Sequence, residues 1–165
     1  MKYNPLGKTG LQVSRLSFGT SSLGGVFHAV DETDAIRAVH TALDCGINYF
    51  DVAPAYGGTR SETVLGKALN GVSRDRYFLS TKVGKYSSFE KYGEDTFDYS
   101  SACIRQSLEA SSARLGTDYF DIIHLHDIEY QGRQHTEWAL REGLATLHAL
   151  KREGRIGAVG FGIYP

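Results

Sequence analysis

Two hydrophobic periods alternate along the chain. Short runs rich in β-branched and aromatic residues are each followed by a polar loop, then by a stretch with apolar residues every three or four positions, then by a glycine. "RLSFGT" (15–20) is the first such run. Asp31 then caps a predicted helix over about 32–45, with Ile36, Val39 and Leu43 on one face and Gly46 at its end. "INYFDVA" (47–53) is the second run, followed by a helix over about 61–70 with Val64, Leu65, Ala68 and Leu69 as its stripe and Gly71 as its stop. "YFLSTKV" (77–83) precedes a helix over about 101–115 carrying Ile104, Leu108, Ser111 and Leu115, closed by Gly116. "DIIHLHD" (121–127) precedes a helix over about 136–153 carrying Leu140, Leu144, Leu147 and Leu150, closed by Gly154, and "IGAVGFG" (156–162) is the last run. The segment ahead of the first run reads as a hairpin, with Gly7 and Gly10 near its turn.

Strands alternating with helices predict a parallel sheet with right-handed crossovers. One apolar stripe per helix predicts that the helices cover one side of it. A dinucleotide-binding doubly wound sheet requires GxGxxG after its first strand, and "SFGTSSLGGVF" does not have that spacing. Asp51, Lys82 and His126 instead fall at the C-terminal ends of successive strands. In a (β/α)8 TIM barrel those ends form one rim where side chains converge. The chain supplies a hairpin and about five βα units, against eight units and about 250 residues for a typical barrel. Residues 1–165 are therefore read as the N-terminal part of a single barrel domain, with no low-complexity tract or linker dividing them.

Composition narrows the function classes. The 165 residues are 41% hydrophobic and 22% charged with a net charge of −1. That balance gives no electrostatic case for nucleic acid or a membrane surface. No apolar run approaches the roughly 20 residues that span a bilayer, and "MKYNPLGKTG" has no apolar signal region. Cys45 and Cys103 are far apart, without CxxC spacing, and read as reduced, partly buried thiols of a cytoplasmic protein.

The rim residues and Tyr56, five positions beyond Asp51, make a coherent acid–base set. A phenol titrates near 10, and an adjacent ammonium favours its phenolate and lowers that pKa. A carboxylate paired with the ammonium keeps it charged and in place. Asp51, Tyr56 and Lys82 are the residue types for this arrangement, and His126 supplies a donor to a substrate oxygen. Taken singly, each has a plainer role: Asp51 as a cap, Tyr56 as surface packing, Lys82 reaching solvent from a strand end, His126 as a core histidine. Their recurrence at matching positions on successive units carries the case. A rival is a metal-dependent barrel hydrolase, because His124 and His126 form an H-x-H on one strand face beside Asp127. No second ligand cluster accompanies them, so no metal is expected.

These motifs together resemble the aldo-keto reductase family throughout the chain. "LGKTGLQVSRLSFGT" is similar to its opening hairpin and first strand, "GINYFDVAPAYGGTRSETVLGKAL" to its second-strand signature, "FLSTKVG" to its third-strand lysine and "DYFDIIHLHD" to its fourth-strand histidine. The resemblance implies a catalytic tetrad of Asp51, Tyr56, Lys82 and His126, with Tyr56 the acid/base, Lys82 and Asp51 tuning it, and His126 orienting the substrate oxygen. It implies a nicotinamide cofactor, NAD or NADP, lying across the barrel mouth near Gly19, Thr20, Ser21, Asp51 and Gly162. "GGVFHAVDETDA", "YGGTRSE" and "HLHDIEY" most resemble the aldose and L-galactose dehydrogenase branch. That branch oxidises a free sugar of the L-galactose or L-fucose type to its lactone, commonly with NAD. Many members end the fifth strand with a Ser-Asn pair on the nicotinamide amide, where this chain has Gly162 and Ile163. Some relatives serve instead as non-catalytic channel subunits. The last three strands, where the family grips the adenosine phosphate, lie outside these residues, so the isolated chain is expected to be inactive.

Overall fold

The computed structural model describes residues 1–87 and 95–164. Strands β1 (Tyr3–Pro5) and β2 (Gln12–Ser14) pair antiparallel, as the hairpin pattern predicts. The chain then alternates β3 (Phe18–Gly19), α1 (Glu32–Asp44), β4 (Tyr49–Asp51), α2 (Arg60–Leu69) and β5 (Phe78–Val83). A second hairpin, β6 (Lys85–Ser87) with β7 (Asp95–Phe97), precedes α3 (Ser101–Leu115), β8 (Phe120–His126) and β9 (Ile156–Gly162). Strands β3, β4, β5, β8 and β9 form one parallel sheet in that order. No helix among the described residues is long and apolar enough to cross a membrane.

Local chemistry sets the element ends. The Asp31 carboxylate accepts from the N–H groups of Thr33 and Asp34 at the start of α1, and Ser100 accepts from Cys103 at the start of α3. Gly116 ends α3 in the left-handed region at φ +67°. The predicted stripes are buried: Val39 and Leu43 of α1, Val64, Leu65, Ala68 and Leu69 of α2, and Ile104, Leu108, Ser111 and Leu115 of α3. They pack on Phe50, Leu79, Val83, Ile123 and Leu125, which alternate along the strands and face the helices. The residues between them, Asp51, Lys82, His124 and His126, face the other side of the sheet.

The structure departs from the expectation in three places. The predicted helix over 136–153 is interrupted by a π-helical turn at Ala139–Gly143 before its regular part, Leu144–Arg152. The wide turn rotates Leu140 out to solvent, while Ala139 and Gly143 take the inward positions. There a Cβ on Gly143 would come 3.1 Å from Leu125 Cδ2, so the missing side chain lets this turn seat against β8. The segment 84–97, read as a polar loop, contains the β6–β7 hairpin; its residues 88–94 lie outside those described. Cys45 is exposed, being the C-cap residue of α1 at the surface, whereas Cys103 is half-buried; both thiols are free.

Candidate active site

Strand register brings the polar residues of the second face to one end of the sheet. Asp51 stands opposite Ser80, Lys82 opposite His124, and His126 opposite Gly162. Lys82 Nζ donates to Asp51 Oδ2 at 2.5 Å and to the Val52 carbonyl at 3.1 Å. The other oxygen of Asp51 accepts from Ser80 Oγ at 2.6 Å, and Ser80 Oγ accepts in turn from the Tyr49 hydroxyl at 3.1 Å. The carboxylate is thus fixed from two sides, and it fixes the ammonium.

The loop after β4 returns Tyr56 to the same place. Gly57, Gly58 and Thr59 all have positive φ, a sharp reversal that two glycines make accessible. Gly57 also passes so close to Gly24 that a Cβ would overlap the Gly24 carbonyl. Just beyond, Ser61 Oγ donates to the Thr20 carbonyl at 2.6 Å. Buried Glu62 accepts from Thr81 Oγ1 and Arg114 Nε, both at 2.7 Å. Tyr56 is therefore carried by a loop tied to β3, β5 and α3. Its ring has Lys82 Nζ 4.8 Å from the centroid, and the His126 imidazole meets it edge-on at 5.9 Å between centroids.

Burial and charge compete at each group. Burial works against the Lys82 ammonium, yet Asp51 and Tyr56 outweigh it and hold the pKa above its ordinary value. At Tyr56 burial is the largest effect and raises the phenol pKa; Lys82 pulls it down, but not far enough to reverse the sign. The expectation that Lys82 brings the phenol below its usual value is corrected here, because desolvation of the phenolate exceeds the attraction of an ammonium already neutralised by Asp51. His126 is pushed well below the ordinary imidazole range by burial, then by the charges of Lys82 and Lys85. It is thus a neutral donor at neutral pH. His124, one layer below against Gly160, is lowered mainly by burial, with Nε2 4.0 Å from Asp51 Oδ1. No three His, Cys, Asp or Glu side chains gather as a metal site among the described residues.

Asp51, Tyr56, Lys82 and His126 come together as the sequence predicts. Gly162 joins them: a Cβ there would stand 3.1 Å from Lys82 Cε. Gly19 lies at the rim opposite Asp51, and Ser21 opens a 3-10 turn, Ser21–Gly24. Thr20 is placed differently, because its hydroxyl donates to the Asp51 carbonyl at 2.9 Å and is fully buried. Its N–H also donates to the Asp51 carbonyl and its own carbonyl accepts from Ser61 Oγ, so neither side chain nor backbone of Thr20 faces the cleft, and its expected cofactor contact is corrected: it braces β3 against β4 instead. Sequence reasoning passed over Ser80, although its spacing of two from Lys82 on one strand face was a legible signal. It also missed Lys85, which pairs with both Asp95 and Asp127 by way of a hairpin that the pattern did not reveal. An open cleft of about 1050 Å³ is lined by Tyr56, Lys82, Lys85, His126, Asp127 and Gly162. It has room for a planar ring and a small polar substrate side by side, and the glycine keeps the floor beside Lys82 clear.

The described strands thus form a parallel βα sheet with Asp51, Tyr56, Lys82 and His126 gathered at its rim. The chain belongs to the aldo/keto reductase family, whose pattern it matches over residues 15–165. It is 43% identical over 157 residues to the L-galactose dehydrogenase of Arabidopsis thaliana, covering 94% of this chain and 46% of that protein. It is 32% identical to a D-threo-aldose 1-dehydrogenase of a Pseudomonas species, covering 93% of this chain and 51% of that one. The holo form of an aldo-keto reductase from Bacillus halodurans superposes with a TM-score of 0.83 at 37% identity, over 98% of this chain and 50% of that structure. The chain thus spans about half the length of the relatives it matches, and its sheet is the N-terminal portion of the family's TIM barrel.

Proposed function

We propose that the protein is an NAD(P)-dependent oxidoreductase that oxidises a free aldose of the L-galactose or L-fucose type to its lactone, with NAD the preferred cofactor. The contact of Lys82 with both Asp51 and the Tyr56 ring carries this reading. Tyr56 takes the proton of the anomeric hydroxyl. Lys82 stabilises the phenolate that accepts it, and Asp51, braced by Ser80, keeps the ammonium charged and directed. His126 donates to the same substrate oxygen and fixes its position. The nicotinamide, when bound, supplies the acceptor for the hydride from the anomeric carbon. Gly19, Ser21, Asp51 and Gly162 are the residues assigned to hold it, and the reaction suits a cytoplasmic enzyme of small sugars.

The test is a spectrophotometric screen of free aldoses with NAD and with NADP on the full-length protein, beside Tyr56→Phe. The variant is expected to lose about 10²–10⁴-fold in kcat. An unimpaired variant sinks the mechanism.

A further inference from the structure

A second charged cluster borders the cleft beside the tetrad, and the proton transfer above does not use it. Lys85 Nζ donates to Asp127 Oδ2 at 2.7 Å and lies 3.0 Å from Asp95 Oδ2. It also stands 4.7 Å from the centroid of the Tyr130 ring. An ammonium has three donors, so two carboxylates and an aromatic face leave Lys85 little for a ligand. Burial opposes its charge, and Asp127 and Asp95 outweigh that. Lys85 is a clamp that joins the β6–β7 hairpin to the end of β8.

The clamped carboxylates differ in what they have left to offer. Asp95 Oδ1 accepts from Ser87 Oγ. Asp127 is held by Lys85 through Oδ2, and its N–H donates to the Gly162 carbonyl at 2.7 Å. Its φ of +50° lies in the left-handed region, which aspartate tolerates better than most residues. Asp127 Oδ1 makes no hydrogen bond to a described residue and stands 3.7 Å from His126 Nε2. His126 Nδ1 is buried without a partner. The ring proton is therefore assigned to Nε2, on the side of that carboxylate.

This spacing suits two oxygens on adjacent carbons. Vicinal oxygens lie roughly a hydrogen-bond length apart, about 3 Å. With the reacting oxygen on His126 Nε2, its neighbour falls within reach of Asp127 Oδ1. Building on the aldose reading, we propose that Asp127, held by Lys85, determines specificity by accepting a hydrogen bond from the hydroxyl next to the reacting carbon. The ligands so selected are uncharged α-hydroxy aldehydes and their cyclic hemiacetals. Two carboxylates against one ammonium disfavour a phosphate or carboxylate at that position.

The experiment compares kcat/KM for a free aldose and its 2-deoxy counterpart on the full-length protein, in the wild type, Asp127→Asn and Asp127→Gly. The wild type is expected to favour the 2-hydroxylated sugar by about 10²-fold or more. Asp127→Asn keeps the shape but not the charge, and lowers the preference about tenfold. Asp127→Gly, at home at positive φ, brings it close to parity. Equal losses on both sugars, or a wild type indifferent to the 2-hydroxyl, overturn the proposal while leaving the redox reading intact. If circular dichroism shows the glycine variant unfolded, the asparagine ratio decides, and an unchanged ratio overturns the proposal. Failure of the wild type to oxidise either sugar overturns the aldose reading and this one together.

Discussion

At Tyr56 burial and charge pull the phenol in opposite directions, and burial prevails. In the proposed mechanism oxidation needs the phenolate and reduction needs the phenol, so the two directions depend differently on pH. The kcat/KM for aldose oxidation should rise from about pH 6 to pH 9, while that for reduction should stay flat there, because a phenol raised above its ordinary value keeps its proton over that range. Lys82→Met removes the one nearby charge that lowers the phenol pKa. It should move the rising limb further to alkali and cost about 10²–10⁴-fold at neutral pH. Flat oxidation profiles in both proteins would exclude Tyr56 as the base. The convergence of Asp51, Tyr56, Lys82 and His126 was legible because each sits at a strand end or just past one. The sign of the Tyr56 shift was not, because desolvation depends on how much protein surrounds the ring.

The elements that hold the site are joined by buried polar ties. Glu62 on α2 is fully buried between Thr81 of β5 and Arg114 of α3, beside the loop that presents Tyr56. Arg114→Ala leaves that carboxylate without its charged partner, which is expected to cost about 3–5 kcal/mol. Urea unfolding measures it; a loss below about 1 kcal/mol would mean that Thr81 alone satisfies Glu62. Helices α1, α2 and α3 could be read from their apolar stripes because their packing is regular. The helix after β8 could not, since nothing in its leucine spacing encodes a π turn. That turn follows from the fit of Gly143 against Leu125 and Tyr99. The β6–β7 hairpin was equally hidden, because each strand is only three residues long and carries a single aromatic, Tyr86 or Phe97, too little to show a period.

Across the whole molecule, buried His126 and half-buried His124 link stability to pH. Both have folded pKa values below the ordinary 6.5, so below about 6.5 the unfolded chain binds more protons than the folded one. Their contribution is intact above that pH and is lost as the pH falls beneath it. The shifted carboxyl groups Asp31, Glu142 and Glu153 act in a lower window, below their ordinary values of 3.8 to 4.5. The melting temperature should therefore drop between about pH 7 and pH 5. A His124→Gln/His126→Gln variant should flatten that drop, and an equally steep one would assign it elsewhere. Among the described strands, β3 and β9 each have one ladder partner, and Phe161, Ile163 and Tyr164 at the β9 end are exposed. The parallel barrel plan and the gathering of Asp51, Tyr56, Lys82 and His126 at one rim followed from the sequence alone, because hydrophobic period and strand-end position are local properties written residue by residue. The protonation balance of Tyr56, the clamp of Lys85 on Asp127 and the seating of the π turn required the tertiary structure. Each depends on the distance between groups that lie far apart along the chain.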